Sequence, residues 1–427
     1  MSTDNANEVN VLRLTIQGAL VGHLVGFRDG RNVLSIAEEF KSNPDRPTFS
    51  LTTHPEFPSA KTLMAEPWVR SQRLHPVLSN LLLEGSLREL IAQGLKVHVD
   101  NEFHILSYLG DDLPGAIKAA PMDPEDVPDY LLSIQGKANA KAVKFDKVIQ
   151  ENKFSLAGVQ MKFSMKEKDG RYNLSKGDEL GDWIIKTPST KHKFVPLNEY
   201  TAMSLAELAG VEIPEIKLVE MAQLDDLPSI NLPDEKKAFA IKRFDRNGEQ
   251  RIHMEDFAQI LVKYPYEKYS AANYENIGKV IYDFSGDGLA DVQQFARRLL
   301  VNILLANGDA HLKNWSLIYP DKFTPRLSPA YDIVTTKVYI ENETKYALNL
   351  GETKAWYEVS MKNFESWAVR SGIPWRAVKP HLDDTLSKAR ELWPAALNTL
   401  PMDEAHKHAL SNHWRQLHKD FKIEGTW

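Results

Sequence analysis

Leu299-Leu-Val-Asn-Ile-Leu-Leu-Ala-Asn-Gly-Asp-Ala-His-Leu-Lys-Asn-Trp-Ser-Leu-Ile-Tyr319 is the stretch on which the reading of the chain turns. It opens as an apolar helical run, Asn307-Gly308 breaks that run, and an apolar strand resumes at Trp315. Between the two elements Asp309, His311, Lys313 and Asn314 crowd one short loop. Polar groups set between buried elements are costly to desolvate, so a use for them is expected. An Asp followed five residues later by an Asn is the spacing of the protein-kinase catalytic loop, where the Asp orients the attacking hydroxyl and the Asn ligates magnesium. Asp309 and Asn314 fit that spacing. Taken singly, Asp309 also reads as a turn cap and Asn314 as a partner for backbone groups.

Toward the C-terminus, Leu327-Ser-Pro-Ala-Tyr-Asp332 sets a second acid just after a strand. Mg2+ keeps several waters and needs few protein ligands, so Asp332 with Asn314 and nucleotide phosphates would suffice to hold it. Toward the N-terminus, Gly181-Asp-Trp-Ile-Ile-Lys186 ends an apolar strand on a lysine, the position from which a kinase lysine reaches the α and β phosphates. The next helix opens with Asn198-Glu199-Tyr200, and Glu199 is a possible partner for Lys186. Ala238-Phe-Ala-Ile-Lys-Arg-Phe-Asp245 falls where a hinge would offer backbone groups to adenine, and reads equally as a structural strand. Phe154-Ser-Leu-Ala-Gly-Val-Gln-Met-Lys162 sits between strands and could close over phosphates. With a single glycine it is neither a Walker loop nor GxGxxG.

Further out, residues 11–114 read as a small β-rich unit. Val11-Leu-Arg-Leu-Thr-Ile16 alternates, Gly22, Gly26 and Gly30 break further strand pieces, and a helical stretch follows near residues 75–95. Ala120-Pro-Met-Asp-Pro-Glu-Asp-Val-Pro-Asp129 has few core-forming residues and reads as a linker. Residues 153–246 are mainly strands, interrupted by a helix over 197–209 that Gly210 ends. Beyond residue 251 the pattern is helical, apart from a strand pair near 315–319 and 325–327.

With 43% hydrophobic and 26% charged residues, the 427-residue chain has the composition of a folded soluble protein, which excludes disorder as its main state. Single cores stop growing at roughly 250–300 residues, so two or three lobes are expected. The net charge of −6 disfavours a globally basic nucleic-acid binder. The absence of cysteine removes disulfides, thiolate nucleophiles, iron–sulfur clusters and Cys-based zinc sites, and suits a reducing compartment. The N-terminus lacks the basic-then-apolar order of a signal peptide and no apolar stretch is long enough to span a bilayer, so a cytoplasmic protein without a membrane partner is expected.

In this order, Ser-Leu-Ala-Gly-Val-Gln-Met-Lys, Trp-Ile-Ile-Lys-Thr-Pro, Asn-Glu-Tyr, Lys-Arg-Phe-Asp-Arg, Asn-Gly-Asp-Ala-His-Leu-Lys-Asn and Pro-Ala-Tyr-Asp resemble the HipA family of bacterial toxin kinases. Val21-Gly-His-Leu24 and Ile105-Leu-Ser-Tyr-Leu-Gly-Asp-Asp112 look like that family's extra N-terminal subdomain. The resemblance implies an α+β, two-lobed protein-kinase-like fold with a β-rich N-lobe, an all-α C-lobe and an extra β-rich N-terminal subdomain. The expected divisions are residues 1–120, 121–250 and 251–427.

The resemblance also implies a serine/threonine kinase using ATP and Mg2+. Its target would be a translation component, typically an aminoacyl-tRNA synthetase. It would arrest growth until neutralised by a helix-turn-helix antitoxin of the HipB type, with DNA reached only through that antitoxin. By the same resemblance Asp309 is the proton acceptor, Asn314 and Asp332 are the metal ligands, and Lys186 is the phosphate-binding lysine. Ala157, Gly158, Val159, Gln160, Met161 and Lys162 form the phosphate loop. Lys242, Arg243 and Phe244 form the adenine hinge, and His311, Leu312, Lys313 and Tyr331 are nucleotide neighbours. Ser155 matches the serine whose autophosphorylation ejects the phosphate loop; a phosphate there adds roughly two negative charges beside a site meant for ATP. Ser164 is a competing acceptor. Two other readings stay open: a catalytically silent partner of a DNA-binding antitoxin, and a small-molecule phosphotransferase. The presence of Lys186, Asp309, Asn314 and Asp332 leans against the first, and the N-terminal unit against the second.

Overall fold

Apolar alternation in the first residues builds a sheet. In the computed structural model, which describes residues 8–133, 140–144, 160–174, 180–227 and 232–425, β1 (Glu8–Ile16) and β2 (Ala19–Phe27) form an antiparallel hairpin. Its turn residues, Gln17 and Gly18, both have positive φ, at 48° and 86°. That backbone twist matches the right-handed twist of the flanking strands. β3 (Arg31–Ile36), β4 (Trp68–Ser71) and β5 (Ile117–Pro121) complete the order β4-β3-β2-β1-β5, and β6 (Lys141–Ala142) pairs parallel with the start of β1.

Alternate residues of these strands serve two cores. Leu12, Leu14, Ile16, Leu24 and Leu34 pack with Val77, Phe103, Ile105 and Leu106 from helices Pro76–Ser79 and Glu102–Leu109. Val9, Val11, Val25 and Val33 form the second cluster, closed by Met122, Val127 and Leu131. The tract at 120–129 is therefore not a linker. Its acids are exposed and its prolines half-buried while the sparse apolar residues Met122 and Val127 reach the sheet, and a composition average hides that spacing.

By its contacts the chain divides into two compact units. The first comprises Met1–Ser155 with Glu249–Pro265 and Tyr319–Phe323, and the second comprises Leu156–Gly248, Tyr266–Ile318 and Thr324–Trp427. Within the first, buried Glu255 accepts hydrogen bonds from Ser50 Oγ at 2.8 Å, from Leu51 N at 2.6 Å and from the Tyr319 hydroxyl. His253 stacks on Tyr319 and donates from Nε2 to the Phe49 carbonyl at 3.0 Å.

The second unit carries the sheet β10-β12-β9-β7-β8-β11, formed by β7 (Lys162–Lys168), β8 (Arg171–Leu174), β9 (Trp183–Lys186), β10 (Ile216–Glu220), β11 (Leu224–Asp225) and β12 (Lys237–Lys242). β9 lies between β7 and β12, and its register sets Lys186 opposite both Lys162 and Phe239. The helix after β9 runs Val195–Leu208, with proline in its first turn and Ala202, Met203, Leu205 and Ala206 buried. Gly210, at φ 87°, follows its end, where the left-handed conformation favours glycine.

Helices Tyr274–Phe284, Gly288–Leu304, Met361–Arg370, Trp375–Thr399 and Glu404–Gln416 form the rest of this unit around buried Phe295, Trp315, Trp367, Trp393 and Trp414. Leu317 and Ile318 pair antiparallel with Leu327 and Arg326. A second hairpin, Lys345–Leu350 with Thr353–Ala355, interrupts what the sequence reads as continuous helix. Tyr346, Leu348 and Leu350 are buried in strand alternation, and Gly351 and Glu352 turn at φ 51° and 81°. Among the described residues no helix is long and apolar enough to cross a membrane.

Candidate active site

The helix Gly288–Leu304 stops because Ala306 takes φ 52° and Asn307 turns the chain. The Asn307 side chain donates to Asn302 Oδ1 at 2.7 Å and accepts from Asp309 N at 3.0 Å. Gly308 N donates to Thr336 Oγ1 at 2.7 Å. Held this way, the loop presents the Asp309 carboxylate with 45% of its side chain exposed. Asp309 accepts from the Tyr269 hydroxyl, and His311 Nε2 lies 3.8 Å away. Leu312–Asn314 is a single 3-10 turn in which Leu312 is fully buried, and its N–H donates to the Lys268 carbonyl at 3.2 Å. Asn314 Nδ2 donates to the Asp309 carbonyl at 2.7 Å.

Asp332 sits at φ 54°, a conformation that Asp tolerates better than most residues. Its carboxylate meets Lys162 Nζ at 3.0 Å and also the Lys186 ammonium. Lys186 pairs in addition with Glu199. Behind this group Asn198 bridges two elements: Nδ2 donates to the Thr335 carbonyl at 3.0 Å, and Oδ1 accepts from Thr335 N at 2.9 Å. The site thus contains two ammonium groups and two carboxylates from β7, β9, the Val195–Leu208 helix and the segment after Leu327.

Burial by itself would raise the Asp332 carboxyl, but Lys162 and Lys186 hold it well below the usual carboxylate range. Burial would likewise lower Lys186, and Asp332 with Glu199 keeps its ammonium charged. For Glu199 desolvation outweighs the opposing pull of Lys186, and its carboxyl is pushed up.

Hard oxygen donors fit a divalent cation at this place. Asn314 has its amide N–H engaged by the Asp309 carbonyl, so its Oδ1 is the end suited to a metal, and Asp332 is a carboxylate already matched by cations. Asn314, Asp332, Asn307 and Tyr331 line one small cavity. Among the described residues no cluster of three His, Cys, Asp or Glu could hold a metal alone, so a cation here would draw on Asn314, Asp332 and the phosphates of a nucleotide.

The remaining candidates fall into separate surroundings. Met161 is buried and its carbonyl accepts from Thr187 N at 3.0 Å, while Gln160 is half-buried. Lys242 is exposed and its Nζ lies 3.4 Å from Glu215. Arg243 is buried with its guanidinium on Asp245, at 2.9 and 2.7 Å, and on Ser164 Oγ at 2.9 Å. The Phe244 ring lies 5.7 Å from that of Tyr331, whose hydroxyl donates to the Lys313 carbonyl at 2.9 Å. Ser155, Ala157, Gly158 and Val159 lie outside the described residues. Sequence reading missed Tyr269 and Thr336, took Asn307 only as the break after the helix, and noted Asn198 only as a neighbour of Glu199. Asn307 carries the one local signal, since an Asn-Gly pair after an apolar helix marks a turn.

Residues 154–393 match the family model of the HipA-like C-terminal domain, and residues 12–120 that of the HipA N-terminal domain. A Sinorhizobium fredii protein named "Putative kinase Y4dM" is 37% identical over 400 residues, covering 92% of this chain and 94% of its own. The "Serine/threonine-protein kinase toxin HipA" of Shewanella oneidensis is 24% identical over 333 residues, covering 69% of this chain and 71% of its own. In the solved complex of HipA, HipB and operator DNA from Shewanella oneidensis MR-1, one chain aligns over 95% of both chains with a TM-score of 0.69 at 19% identity, which shows a shared fold.

Proposed function

The chain belongs to the HipA family and is a kinase of that family, and on this premise we propose that it is a growth-arresting serine/threonine protein kinase that uses ATP and Mg2+. The observation that carries the reading is the meeting of Lys186, Glu199 and Asp332 in one ion-paired group, with Asn314 sharing a cavity with Asp332 and Asp309 five residues before Asn314.

In this reading Asp309 orients the acceptor hydroxyl and takes its proton late in transfer. Lys186 offers its ammonium to the α and β phosphates, and Glu199 keeps that ammonium in place. Lys162, with Ala157, Gly158, Val159, Gln160 and Met161, closes on the phosphates. Asn314 and Asp332 would hold Mg2+, which when bound offsets the charge on the phosphates. Lys242, Arg243 and Phe244 are the proposed adenine hinge; the N–H groups of Lys242 and Arg243 donate to the Glu215 and Asp182 carbonyls at 2.9 and 2.8 Å, so adenine would be met by Phe244 and by the carbonyls of this segment, with His311, Leu312, Lys313 and Tyr331 around the nucleotide. The buried guanidinium of Arg243 fixes that strand through Asp245 and does not itself reach for ligand.

The proposed target is a translation component such as an aminoacyl-tRNA synthetase, and Ser155 is the proposed autophosphorylation site. A helix-turn-helix antitoxin of the HipB type is the proposed restraint, with DNA contacted through it, all in the cytoplasm. The similarity of fold to a HipA chain bound to HipB and operator DNA supports the antitoxin.

The test incubates purified protein with Mg2+ and labelled ATP, maps phosphosites by mass spectrometry, and runs Asp309→Asn beside it. Phosphate on Ser155 in the wild type and none in the variant is expected. ATP binding without protein phosphate would favour a small-molecule acceptor, and no ATP binding would favour a silent antitoxin partner.

A further inference from the structure

Tyr269 is an exposed aromatic residue, 43% accessible, whose hydroxyl donates a hydrogen bond to the Asp309 carboxylate. The core does not require it there. Its ring stands edge-on to His311 with centroids 4.9 Å apart, its carbonyl accepts from Lys354 Nζ at 3.3 Å, and the preceding carbonyl of Lys268 is tied to Leu312 N. The residue is thus held to the loop that carries Asp309 by its hydroxyl, its ring and the preceding carbonyl, and to the hairpin strand Thr353–Ala355 by its own carbonyl. An O–H donor on this carboxylate stands where an alcohol acceptor must place its own O–H to be oriented and deprotonated.

We propose that Tyr269 is the acceptor-site placeholder: its phenol occupies the hydroxyl position at Asp309, excludes water from it, and yields only to an acceptor hydroxyl that displaces it. The proposal rests on the kinase reading of Asp309. It assigns Tyr269 a positioning role, distinct from the groups that hold nucleotide. Without the phenol hydroxyl, water can take the position. Water oxygen then bonds to the γ-phosphorus, the bond from phosphorus to the β–γ bridging oxygen breaks with its electron pair leaving on ADP, and a proton of the water passes to Asp309.

The experiment measures ADP release from Mg2+–ATP with no acceptor added, corrected for phosphate bound to the protein, in wild type, Tyr269→Phe and the Tyr269→Phe/Asp309→Asn double variant. Binding of a non-hydrolysable ATP analogue is measured alongside. Phenylalanine keeps the ring against His311, so the fold is not at stake. Tyr269→Phe is expected to bind the analogue like wild type and to release ADP about tenfold faster, the effect of losing one hydrogen bond to a charged group, with the gain abolished in the double variant. A rate at or below wild type with analogue binding intact overturns the placeholder alone. Phosphate found on Tyr269 also overturns it, since the residue would then be an acceptor. Failure of the wild type to bind the analogue overturns the kinase reading, and the placeholder with it.

Discussion

Lys162 and Lys186 stand directly opposite each other across β7 and β9, and both ammonium groups rest on Asp332. Like charges facing each other across a sheet repel. Here the carboxylate between them, with Glu199 beyond Lys186, turns the repulsion into a closed group of two positive and two negative charges. Asp332 is therefore already neutralised before any nucleotide or metal arrives.

A divalent cation must displace Lys162 to reach this carboxylate. Lys162→Met should raise affinity for Mn2+ in the absence of nucleotide by about fivefold, the scale of a partly exposed ion pair, and should weaken binding of an ATP analogue. Mn2+ binding followed by electron paramagnetic resonance checks it, and equal affinities in both proteins would refute the competition.

Lys186 and Asp309 should separate stability from chemistry. Lys186→Met leaves buried Glu199 without its partner and Asp332 with Lys162 alone, and should cost about 3–5 kcal/mol in urea unfolding. Asp309→Asn, on a half-exposed side chain, should change stability by no more than about 0.5 kcal/mol while transfer falls by about two to four orders of magnitude. Equal unfolding midpoints for the two variants would contradict the ion-pair account.

Asn198 has its amide engaged at both ends, by the Thr335 N–H and carbonyl, with the Tyr339 hydroxyl 3.2 Å from Nδ2. Asn198→Ala leaves those buried groups unpaired and should cost about 1–3 kcal/mol. Because the bonds join the Glu199 helix to the segment following Asp332, ATP turnover should fall as well. A variant with wild-type stability would remove Asn198 from this role.

Acid should destabilise the fold. Burial lowers His75 to about 3, and His253 and His413 to about 4, so all three are neutral when folded. The stability they contribute is complete above the ordinary histidine value and is lost as pH falls toward their folded values. His253 and His413 should each forfeit about 2 kcal/mol by pH 5. Glu255, pushed up by burial to about 7, acts in the opposite sense, its contribution being present at low pH and lost as pH rises through 7. Burial also raises Glu199, Glu235, Glu275 and Glu343 and lowers His23, His104, His192, His381 and His406, so eight histidines stand against five carboxyls and the urea midpoint should drop from pH 7 to pH 5; a rise would contradict the assignment.

Much of the candidate site is local enough to be legible. Asp309 and Asn314 share one loop, Lys186 ends one strand, and Glu199 lies early in the next helix, so short-range spacing and order suffice to single them out. Two errors of fold reading have the same origin. Met122 and Val127 in the Pro- and Asp-rich tract, and the strand alternation at Tyr346, Leu348 and Leu350, take their meaning from what packs on them.

From the sequence alone came the polar catalytic-type loop between two apolar elements, the strand-ending lysine, and the order of β-rich and helical regions, because each is encoded by residues within a few turns or strands of one another. The tertiary structure decided that Lys162 faces Lys186, that Asp332 lies between them, and that Tyr269 closes on Asp309. Those relations depend on strand register and on segments far apart in the chain, where the energy that selects one arrangement comes from burial and charge pairing over the whole fold.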